Sequence, residues 1–262
     1  MNKPLPAFTD QIGRTVELPH IPRRIISLVP SQTELLFSLG LDKQVVGITK
    51  FCIHPDAWFR SKPRIGGTKA IDFARIDALQ PDLIIANKEE NDRPQVEALA
   101  ARYPVWVSDV KTLSDALTMI RSVGTLTGKE AGARDLANEI DAGFSKLTLP
   151  PKTSPAAYLI WYRPWMAAGS DTFIHQMLRY CGFDNVFGDR DRYPEIELNT
   201  LSGIPDLTIL LSSEPYPFRQ RHIDEIKQTL PHAKVLLVDG ELFSWYGSRL
   251  LHSPAYFRQL LA

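Results

Sequence analysis

The sequence is poor in cysteine, and this already limits the kinds of protein it can encode. Only Cys52 and Cys181 occur among 262 residues, far apart and without the spacing of metal ligands. A disulfide framework or a zinc site normally needs more cysteines at closer spacing. We therefore expect two buried thiols, and a hydrophobic core large enough to need no covalent support.

The sequence also lacks an excess of charge of either sign. Lysine and arginine total 30, aspartate and glutamate total 30, and the formal net charge is zero. Nucleic acids and anionic membrane surfaces usually select partners with a basic excess. This balance argues against nucleic acid or an anionic membrane as the main partner. We expect a monomer that binds a small molecule.

A long apolar segment is missing from the N-terminal region. Residues 1–24, MNKPLPAFTDQIGRTVELPHIPRR, contain no apolar run of the length that a secretory signal or a membrane span requires. We therefore expect no membrane insertion and, for the chain as written, a cytoplasmic location. A periplasmic location is the alternative if a leader peptide has been removed.

Catalytic and metal-binding motifs are missing as well. The chain has no G-x-S-x-G elbow, no G-x-x-x-x-G-K phosphate loop, and no G-x-G-x-x-G after its first strand. No pair of histidines has the spacing of zinc or iron ligands, and only Cys52 and His54 share a loop. We expect neither an enzyme nor an intrinsic cofactor or metal. The alternative is an enzyme, with Glu241 or Asp239 as acid or base.

The clearest structural signal is a strand that runs directly into a helix near the N-terminus. Residues 25–29 are almost entirely apolar, which is typical of a buried parallel strand. Ser31 and Glu34 have the spacing of a capping box, and Gly40 is expected to end the helix. A second strand is predicted at 45–49. Because ligands of open α/β sheets bind beyond the carboxyl ends of such strands, the loops that follow are expected to bind a ligand.

Strands and helices alternate in both halves of the chain. Further strands are predicted at 83–86, 105–107, 157–161, 207–211 and 235–238, and helices at 71–79, 172–180 and 222–230. Between the halves, apolar residues at helical spacing, interrupted near Gly128, predict two helices, of which the second is long enough to join two lobes. The predicted fold is α/β, with Rossmann-like lobes at 1–111 and 150–262 and a helical segment at 112–149. The long helix is expected to limit movement of the lobes.

Two sets of loop residues are predicted to line the ligand site. They are Lys50, Phe51, Thr68 and Asn87 in the N-terminal lobe, and Trp161, Arg163, Trp165, Tyr193, Tyr216, Glu241, Trp245 and Arg249 in the C-terminal lobe. The second set is heavily aromatic, which favours a large, flat, partly apolar ligand. The alternative is that several of these rings close the core of their own lobe. Arg163 and Arg249 are expected to orient an anionic group, because each lies within an aromatic run.

Several stretches of the sequence resemble a known family. They are FTDQIGRTVELPHIPRRIISLVPSQTELLFSLGLDKQVVGIT, IDFARIDALQPDLIIA, and YCGFDNVF with the later RYPEI and PDLTILLSSEP. With these motifs the chain resembles the helical-backbone metal receptors, the substrate-binding proteins of ABC importers for cobalamin, ferric siderophores and haem. The resemblance implies a class III periplasmic-binding-protein fold, in which one backbone helix joins two lobes. It also implies a corrinoid or an iron chelate as the ligand, bound in the cleft between the lobes.

The resemblance further implies roles for individual loop residues. The aromatic positions that grip a corrin in the cobalamin-binding members fall on or near Phe51, Tyr193 and the segment 241–245. Thr68 and Asn87 stand where those members have tryptophan. The tryptophans of the C-terminal lobe are expected to compensate from the other side.

A partner protein is implied in the same way. Family members dock on an ABC permease through one acidic residue in each lobe, and these positions fall here near Ala74 and Leu198. Asp72 and Glu197 are expected to substitute. One alternative is an intracellular corrinoid- or chelate-handling protein without a transporter. Another is a ferric-siderophore binding protein, whose anionic ligand would be held by Lys50, Lys69, Lys88, Arg163 and Arg249.

Overall fold

The structure is a computed structural model that describes residues 7–261, and it divides into two compact units. Unit 1 contains the described residues up to Val110, then Ser114–Asp141 and Tyr246–Arg249; unit 2 contains Lys111–Leu113, Ala142–Trp245 and the described residues from Leu250 onward. A short segment near the C-terminus therefore belongs to the unit that is otherwise built from the first half of the chain.

Unit 1 is built around a parallel sheet whose strands alternate with helices. Its strands are β1 (Phe8–Thr9), β2 (Thr15–Val16), β3 (Ile25–Ser27), β4 (Val45–Ile48), β5 (Leu83–Asn87) and β6 (Val105–Ser108), and its helices are α1 (Pro30–Ser38), α2 (Asp56–Ser61), α3 (Phe73–Leu79), α4 (Arg93–Ala100) and most of α5 (Leu113–Thr127). β1 and β2 form an antiparallel hairpin, and the other four strands form a parallel sheet in the order β4-β3-β5-β6. Every residue of β3 and β5 is buried, as in a sheet covered on both faces.

The start of α1 differs from the predicted capping box. Val29 is the N-cap residue and Pro30 is the first helical residue, so Ser31 lies inside the first turn and no side chain caps the helix. Proline is suited to this position because it has no backbone N–H to satisfy. The predicted end is confirmed, since Gly40 has a φ of 72°. The N–H groups of Gly40 and Leu41 donate to carbonyls of the last helical turn, at 2.9 and 3.1 Å.

Two helices separate the two sheets along the chain, as predicted. α5 is followed by α6 (Glu130–Ser145), and Gly128 between them has a φ of 68°. The two helices approach closely in unit 1, because a Cβ atom added at Gly124 would lie 2.2 Å from the Cβ of Ala133. α6 belongs to unit 1 up to Asp141 and to unit 2 from Ala142.

Unit 2 has a mixed sheet with a parallel centre. Its strands are β7 (Ser154–Trp161), β8 (Trp165–Ala167), β9 (Phe183–Asn185), β10 (Glu195–Ile196), β11 (Thr208–Ser212) and β12 (Lys234–Val238), and its helices are α7 (Phe173–Tyr180), α8 (Gln220–Thr229), α9 (Glu241–Ser244) and α10 (Ser253–Leu261). The order is β10-β8-β7-β11-β12, with β9 also paired to β7. β7, β11 and β12 are parallel, so their carboxyl ends share one edge of the sheet.

The predicted α/β architecture is confirmed in both units. Each has parallel strands with buried apolar cores, such as Ile26, Leu28, Ile84 and Val107 in unit 1 and Leu159, Ile209, Leu211 and Ile226 in unit 2. The predictions missed the short strands β8, β9 and β10. They also did not anticipate that the segment Tyr246–Arg249 belongs to unit 1. No helix within residues 7–261 is both long and apolar enough to cross a lipid bilayer.

Candidate functional site

An exposed aromatic ring follows β4 at the carboxyl edge of the unit 1 sheet. The side chain of Phe51 is 51% exposed, and the Nζ atom of Lys50 lies 5.1 Å from the centre of its ring. The next residue, Cys52, is buried, with its Sγ atom 3.1 Å from the hydroxyls of Thr33 and Thr49. Burial raises the pKa of the Cys52 thiol, so this cysteine anchors the loop as a neutral group and leaves the Phe51 ring accessible.

Asn87, predicted as a ligand contact, is instead used to shape its own loop. Its side chain is 2% exposed, its Oδ1 atom accepts from the backbone N–H groups of Glu89 and Glu90 at 2.8 and 3.0 Å, and its Nδ2 atom donates to Ser108. A side chain with all its polar groups bonded inside the unit is not available to a ligand. Thr68 is partly buried, and its carbonyl oxygen accepts from the side chain of Asn91 at 3.0 Å.

Arg249, predicted to orient an anionic ligand, is held by a carboxylate of unit 1. Its Nε and Nη2 atoms donate to the two carboxylate oxygens of Glu34 at 2.9 and 2.6 Å, and both side chains are mostly buried. This bidentate pair satisfies the guanidinium group. The neighbouring Tyr246 is also fixed in unit 1, since its hydroxyl donates to Glu90 at 2.8 Å. The structure therefore gives Arg249 a structural role that the sequence did not indicate.

The first turn of α1 has polar atoms without partners within the described chain. Gln32 donates from Nε2 to the Ser108 hydroxyl at 2.5 Å, while its Oε1 atom and the hydroxyl of Ser31 have no hydrogen-bond partner there. Both residues are buried. Ordered water is the usual partner of such atoms.

Unit 2 has a cluster of rings at the carboxyl ends of β7 and β11. This unit 2 aromatic cluster consists of Trp161, Tyr162, Trp165, Tyr216, Phe218 and His222. The rings meet mostly edge to face, with Trp161 5.7 Å from Tyr216 and Tyr162 4.9 Å from Trp165. Trp161 ends β7 and is 41% exposed, whereas Phe218 is buried. The cluster therefore has a packed base, which closes the core of unit 2, and an exposed edge, where contact with a ligand stays a prediction.

His222 fixes the base of this cluster, a role that no pattern in the sequence indicates. Its Nδ1 atom lies 2.9 Å from the backbone nitrogen and 3.2 Å from the carbonyl oxygen of Arg219. Its Nε2 atom lies 3.1 Å from the hydroxyl of Tyr216 and 3.3 Å from Nε of Arg221. Tyr162 donates to the carboxylate of Glu225 on the same helix, at 2.8 Å. The pKa of His222 is lowered, chiefly because the ring is buried.

A shallow groove lies beside the cluster. Its volume is about 370 Å³, and it is lined by Arg163, Trp165, Glu197 and Glu225 among other residues. The guanidinium carbon of Arg163 lies 4.9 Å from the centre of the Tyr162 ring. The structure thus brings two residues predicted to bind ligand, Arg163 and Trp165, together with Glu197, which was predicted to dock a permease.

Trp245, predicted to line the ligand site, is only 6% exposed. Its indole N–H donates to Oε1 of Glu214 at 2.8 Å, and the hydroxyl of Ser244 donates to the same atom at 2.6 Å. Glu241 lies in the same short helix and is partly buried. The tryptophan is therefore packed and hydrogen-bonded, and its removal must affect the fold of unit 2 as well as any contact with a ligand.

The remaining predicted residues lie apart from these groups. Tyr193 is partly buried, with the guanidinium carbon of Arg192 5.9 Å from its ring centre. Asp72 is the N-cap of α3 and forms an ion pair with Arg75 at 3.0 Å. Glu197 is exposed at the start of the 3₁₀ helix Leu198–Leu201. Within residues 7–261, no group of three or more histidine, cysteine, aspartate or glutamate side chains is arranged to hold a metal ion.

Comparison with known sequences identifies relatives over most of the chain. The sequence model of a family described as periplasmic binding protein matches residues 25–234. The chain is 25% identical over 238 residues to a vitamin B12-binding protein of Pectobacterium carotovorum subsp. carotovorum (strain PC1), with 88% of this chain and 85% of that protein covered. It is 23% identical over 256 residues to an uncharacterised ABC transporter substrate-binding lipoprotein of Bacillus subtilis (strain 168), with 92% and 81% covered.

Solved structures share the fold. A periplasmic haem-binding protein from Roseiflexus sp. RS-1 in apo form matches with a TM-score of 0.76 and 19% identity, covering 92% of this chain and 99% of that chain. The periplasmic vitamin B12-binding protein of Vibrio cholerae matches with a TM-score of 0.71 and 18% identity, covering 92% and 97%. At this identity the likeness concerns the fold, and the ligand must be argued from the loops.

Proposed function

This chain belongs to the periplasmic binding protein family, and we propose that it is the substrate-binding protein of an ABC-type importer for a corrinoid or a related metal chelate. The proposal assigns ligand contacts to the loops at the carboxyl edge of each unit's sheet. It assigns no chemical reaction to the protein. An importer permease is the proposed protein partner.

The observation that carries the proposal is the exposure of large rings at the strand ends. Phe51 after β4 is 51% exposed and Trp161 at the end of β7 is 41% exposed, although each ring could bury on the order of 200 Å². Flat apolar faces of this kind suit stacking against a macrocycle or the aromatic groups of a chelate. Two of the relatives are named vitamin B12-binding proteins, which agrees with this ligand class.

The charges in these loops favour a stacked ligand over one held by charge. Of the five cations that a siderophore site was expected to use, Arg249 is paired with Glu34, and Lys88 forms an ion pair with Asp109 at 2.5 Å. Lys50, Lys69 and Arg163 are exposed at loop positions and are the cations that we assign to the ligand. Three such residues suit a ligand with few anionic groups.

The permease contact is proposed at exposed acidic residues. Glu197 is exposed beside the groove in unit 2, and Asp72 is partly exposed at the start of α3 in unit 1. Because Asp72 already pairs with Arg75, Glu197 is the stronger of the two candidates. Replacing each by its amide and measuring transport with the importer tests this part of the proposal.

A ligand panel tests the function directly. The protein is titrated with cyanocobalamin, cobinamide, haem and a ferric siderophore while tryptophan fluorescence is followed, at about 0.05 M and about 0.5 M salt. We expect quenching by a corrinoid, with an affinity that changes little with salt. Binding of the siderophore alone, weakening steeply with salt, would contradict the corrinoid assignment. Failure of the whole panel to bind would contradict the proposed function.

A further inference from the structure

One partly buried carboxyl group connects the two loops that follow β11 and β12. Glu214 lies two residues beyond the end of β11, and its Oε1 atom accepts from the hydroxyl of Ser244 at 2.6 Å and from the indole N–H of Trp245 at 2.8 Å. Both donors belong to the segment after β12 that contains the short helix α9, which we call the loop after β12. Charge-assisted hydrogen bonds of this length are among the stronger polar contacts in proteins.

The same two loops are in close backbone contact next to Glu214. The N–H of Gly240 donates to the hydroxyl of Ser213 at 2.9 Å, and a Cβ atom added at Gly240 would lie 2.2 Å from Oγ of Ser212 and 2.9 Å from Cγ of Glu214. The hydroxyl of Tyr158 on β7 donates to Ser212 at 3.0 Å. The Glu214 side chain therefore lies in a tightly packed site, where it has little freedom to turn towards other donors.

The groups that face Glu214 are mostly acidic. Burial raises the pKa of Glu214, the nearby carboxylates of Glu241 and Asp239 raise it further, and the bonds from Ser244 and Trp245 oppose them. The pKa values of Tyr158 and Tyr256 are also raised, first by burial and then by carboxylates of the same group, including Asp239. A carboxyl group that keeps its proton to higher pH still accepts both hydrogen bonds through Oε1, so the contact to Trp245 does not depend on ionisation.

We propose that Glu214 is a positioning residue for the ligand loops of unit 2: its Oε1 atom fixes the Trp245 indole and ties the loop after β12 to the loop that carries Tyr216 and Phe218. Tyr216 and Phe218 follow Glu214 in the same loop and belong to the unit 2 aromatic cluster. Only the statement that these loops contact a ligand rests on the proposed function. The contact between Glu214 and Trp245 stands independently of it.

Four variants separate this role from general effects of substitution. Glu214→Gln keeps an acceptor oxygen but removes the titratable carboxyl group. Glu214→Leu removes the acceptor and keeps a side chain of similar size. Trp245→Phe removes the indole N–H and identifies its signal among those of the five tryptophans. Glu195→Gln removes an exposed carboxylate on β10 of the same unit and is the matched control.

The measurement is the indole N–H resonance of Trp245 in protein labelled with ¹⁵N-tryptophan, recorded across pH without any ligand. We expect it to titrate with a pKa above that of an exposed glutamate in the wild type and in Glu195→Gln. In Glu214→Gln it should stay at a hydrogen-bonded position and not titrate. In Glu214→Leu it should move upfield, with a thermal midpoint lowered by about 5 °C.

Two results would overturn the positioning role. One is a Trp245 resonance that titrates equally in the wild type and in Glu214→Gln; the other is a resonance unchanged in Glu214→Leu. If Glu214→Leu does not fold, the comparison of the wild type with Glu214→Gln still decides the question.

Cyanocobalamin binding then tests the connection to function. Glu214→Leu should bind about threefold or more weakly, with Glu214→Gln and Glu195→Gln unchanged. Equal binding by Glu214→Leu and the wild type would overturn the statement that the contact positions ligand loops. Absence of binding by the wild type would overturn the proposed function and leave the resonance result as the test of the contact itself.

Discussion

Phe51 and Trp161 are the side chains on which the ligand assignment most depends. Both lie at the carboxyl ends of strands, where ligands of α/β sheets bind, and both expose a large apolar ring. Covering such a ring is favourable by about 25 cal/mol for each Å² removed from water. A flat ligand that covers either ring gains affinity there without a charged contact.

The first prediction concerns Phe51. Phe51→Ala should weaken cyanocobalamin binding about tenfold, because the stacked ring and its buried area are lost together. The matched control is Phe37→Ala in the same unit, since Phe37 is 44% exposed but lies in α1, away from the strand ends. Titration of both variants by tryptophan fluorescence makes the comparison. Equal losses in the two variants would remove Phe51 from the site.

Residue roles were the least predictable level from sequence. Composition and strand position selected Phe51 and Trp161, and the structure shows that both rings are exposed. They could not show that Arg249 pairs with Glu34, because the two residues are 215 positions apart. They also could not show that Trp245 is buried and donates a hydrogen bond to Glu214, which lies 31 positions away. Such pairings depend on tertiary contacts, and local sequence patterns do not predict them.

At the scale of elements, the packing of α5 against α6 depends on one glycine. A Cβ atom at Gly124 would lie 2.2 Å from the Cβ of Ala133 and 3.2 Å from the carbonyl oxygen of Lys129. Neither atom belongs to the end of a flexible side chain, so the helices would have to move apart. Gly132 on α6 has space, since its nearest contact would be 3.9 Å away, at Leu39.

The second prediction compares these two glycines. Gly124→Ala should destabilise the protein by about 1 to 3 kcal/mol because of overpacking. Gly132→Ala should be neutral or stabilising by up to about 1 kcal/mol, since alanine has the higher helix propensity. Thermal unfolding of both variants, followed by circular dichroism, checks the pair. A more stable Gly124→Ala variant would show that the two helices are not in close contact.

The third prediction concerns pH and the start of α8. The pKa of His222 is lowered, first by burial and then by the positive charges of Arg221 and Arg219, while the backbone of Arg219 and the carboxylate of Glu225 oppose the shift. The contribution of neutral His222 to the stability of the fold is therefore complete above the ordinary histidine pKa of 6.5. It is lost as pH falls through the lowered pKa of His222 in the folded protein. The raised pKa of Glu214 acts in the opposite direction, because its contribution is lost as pH rises.

The measurement is the thermal midpoint between about pH 7 and about pH 5. The wild type should lose more stability on acidification than His222→Gln, although the variant starts from a lower midpoint. His232→Gln is the control, because His232 is an exposed histidine of the same unit. Parallel curves for the wild type and His222→Gln would contradict the assignment of a neutral, buried His222.

Fully buried apolar strands were predictable from sequence, and short strands with little burial were not. All residues of β3, β5 and β11 are buried, and these apolar runs can be identified by composition alone. β8 and β10 have three and two residues with one buried residue each, so their pairing with β7 and with each other decides their conformation. The capping box at Ser31 was wrong because Pro30 already starts the helix.

At the scale of the whole molecule, the sheets and the family match define the fold, and the loop side chains determine the ligand. The family model covers residues 25–234, and both units have the expected parallel sheets. α6 carries the chain from one unit to the other, as the predicted backbone helix required. Members of one fold differ in the side chains of their loops, so the choice between corrinoid, haem and siderophore depends on a few exposed residues.

The central claim is that this protein binds a corrinoid or a related metal chelate without transforming it. Equilibrium dialysis of the purified protein against cyanocobalamin, with the visible spectrum recorded on both sides of the membrane, tests it most directly. We predict that a single molecule is retained by each chain and is recovered chemically unchanged. Failure to retain cyanocobalamin, cobinamide, haem or a ferric siderophore, or recovery of an altered ligand, would contradict the account.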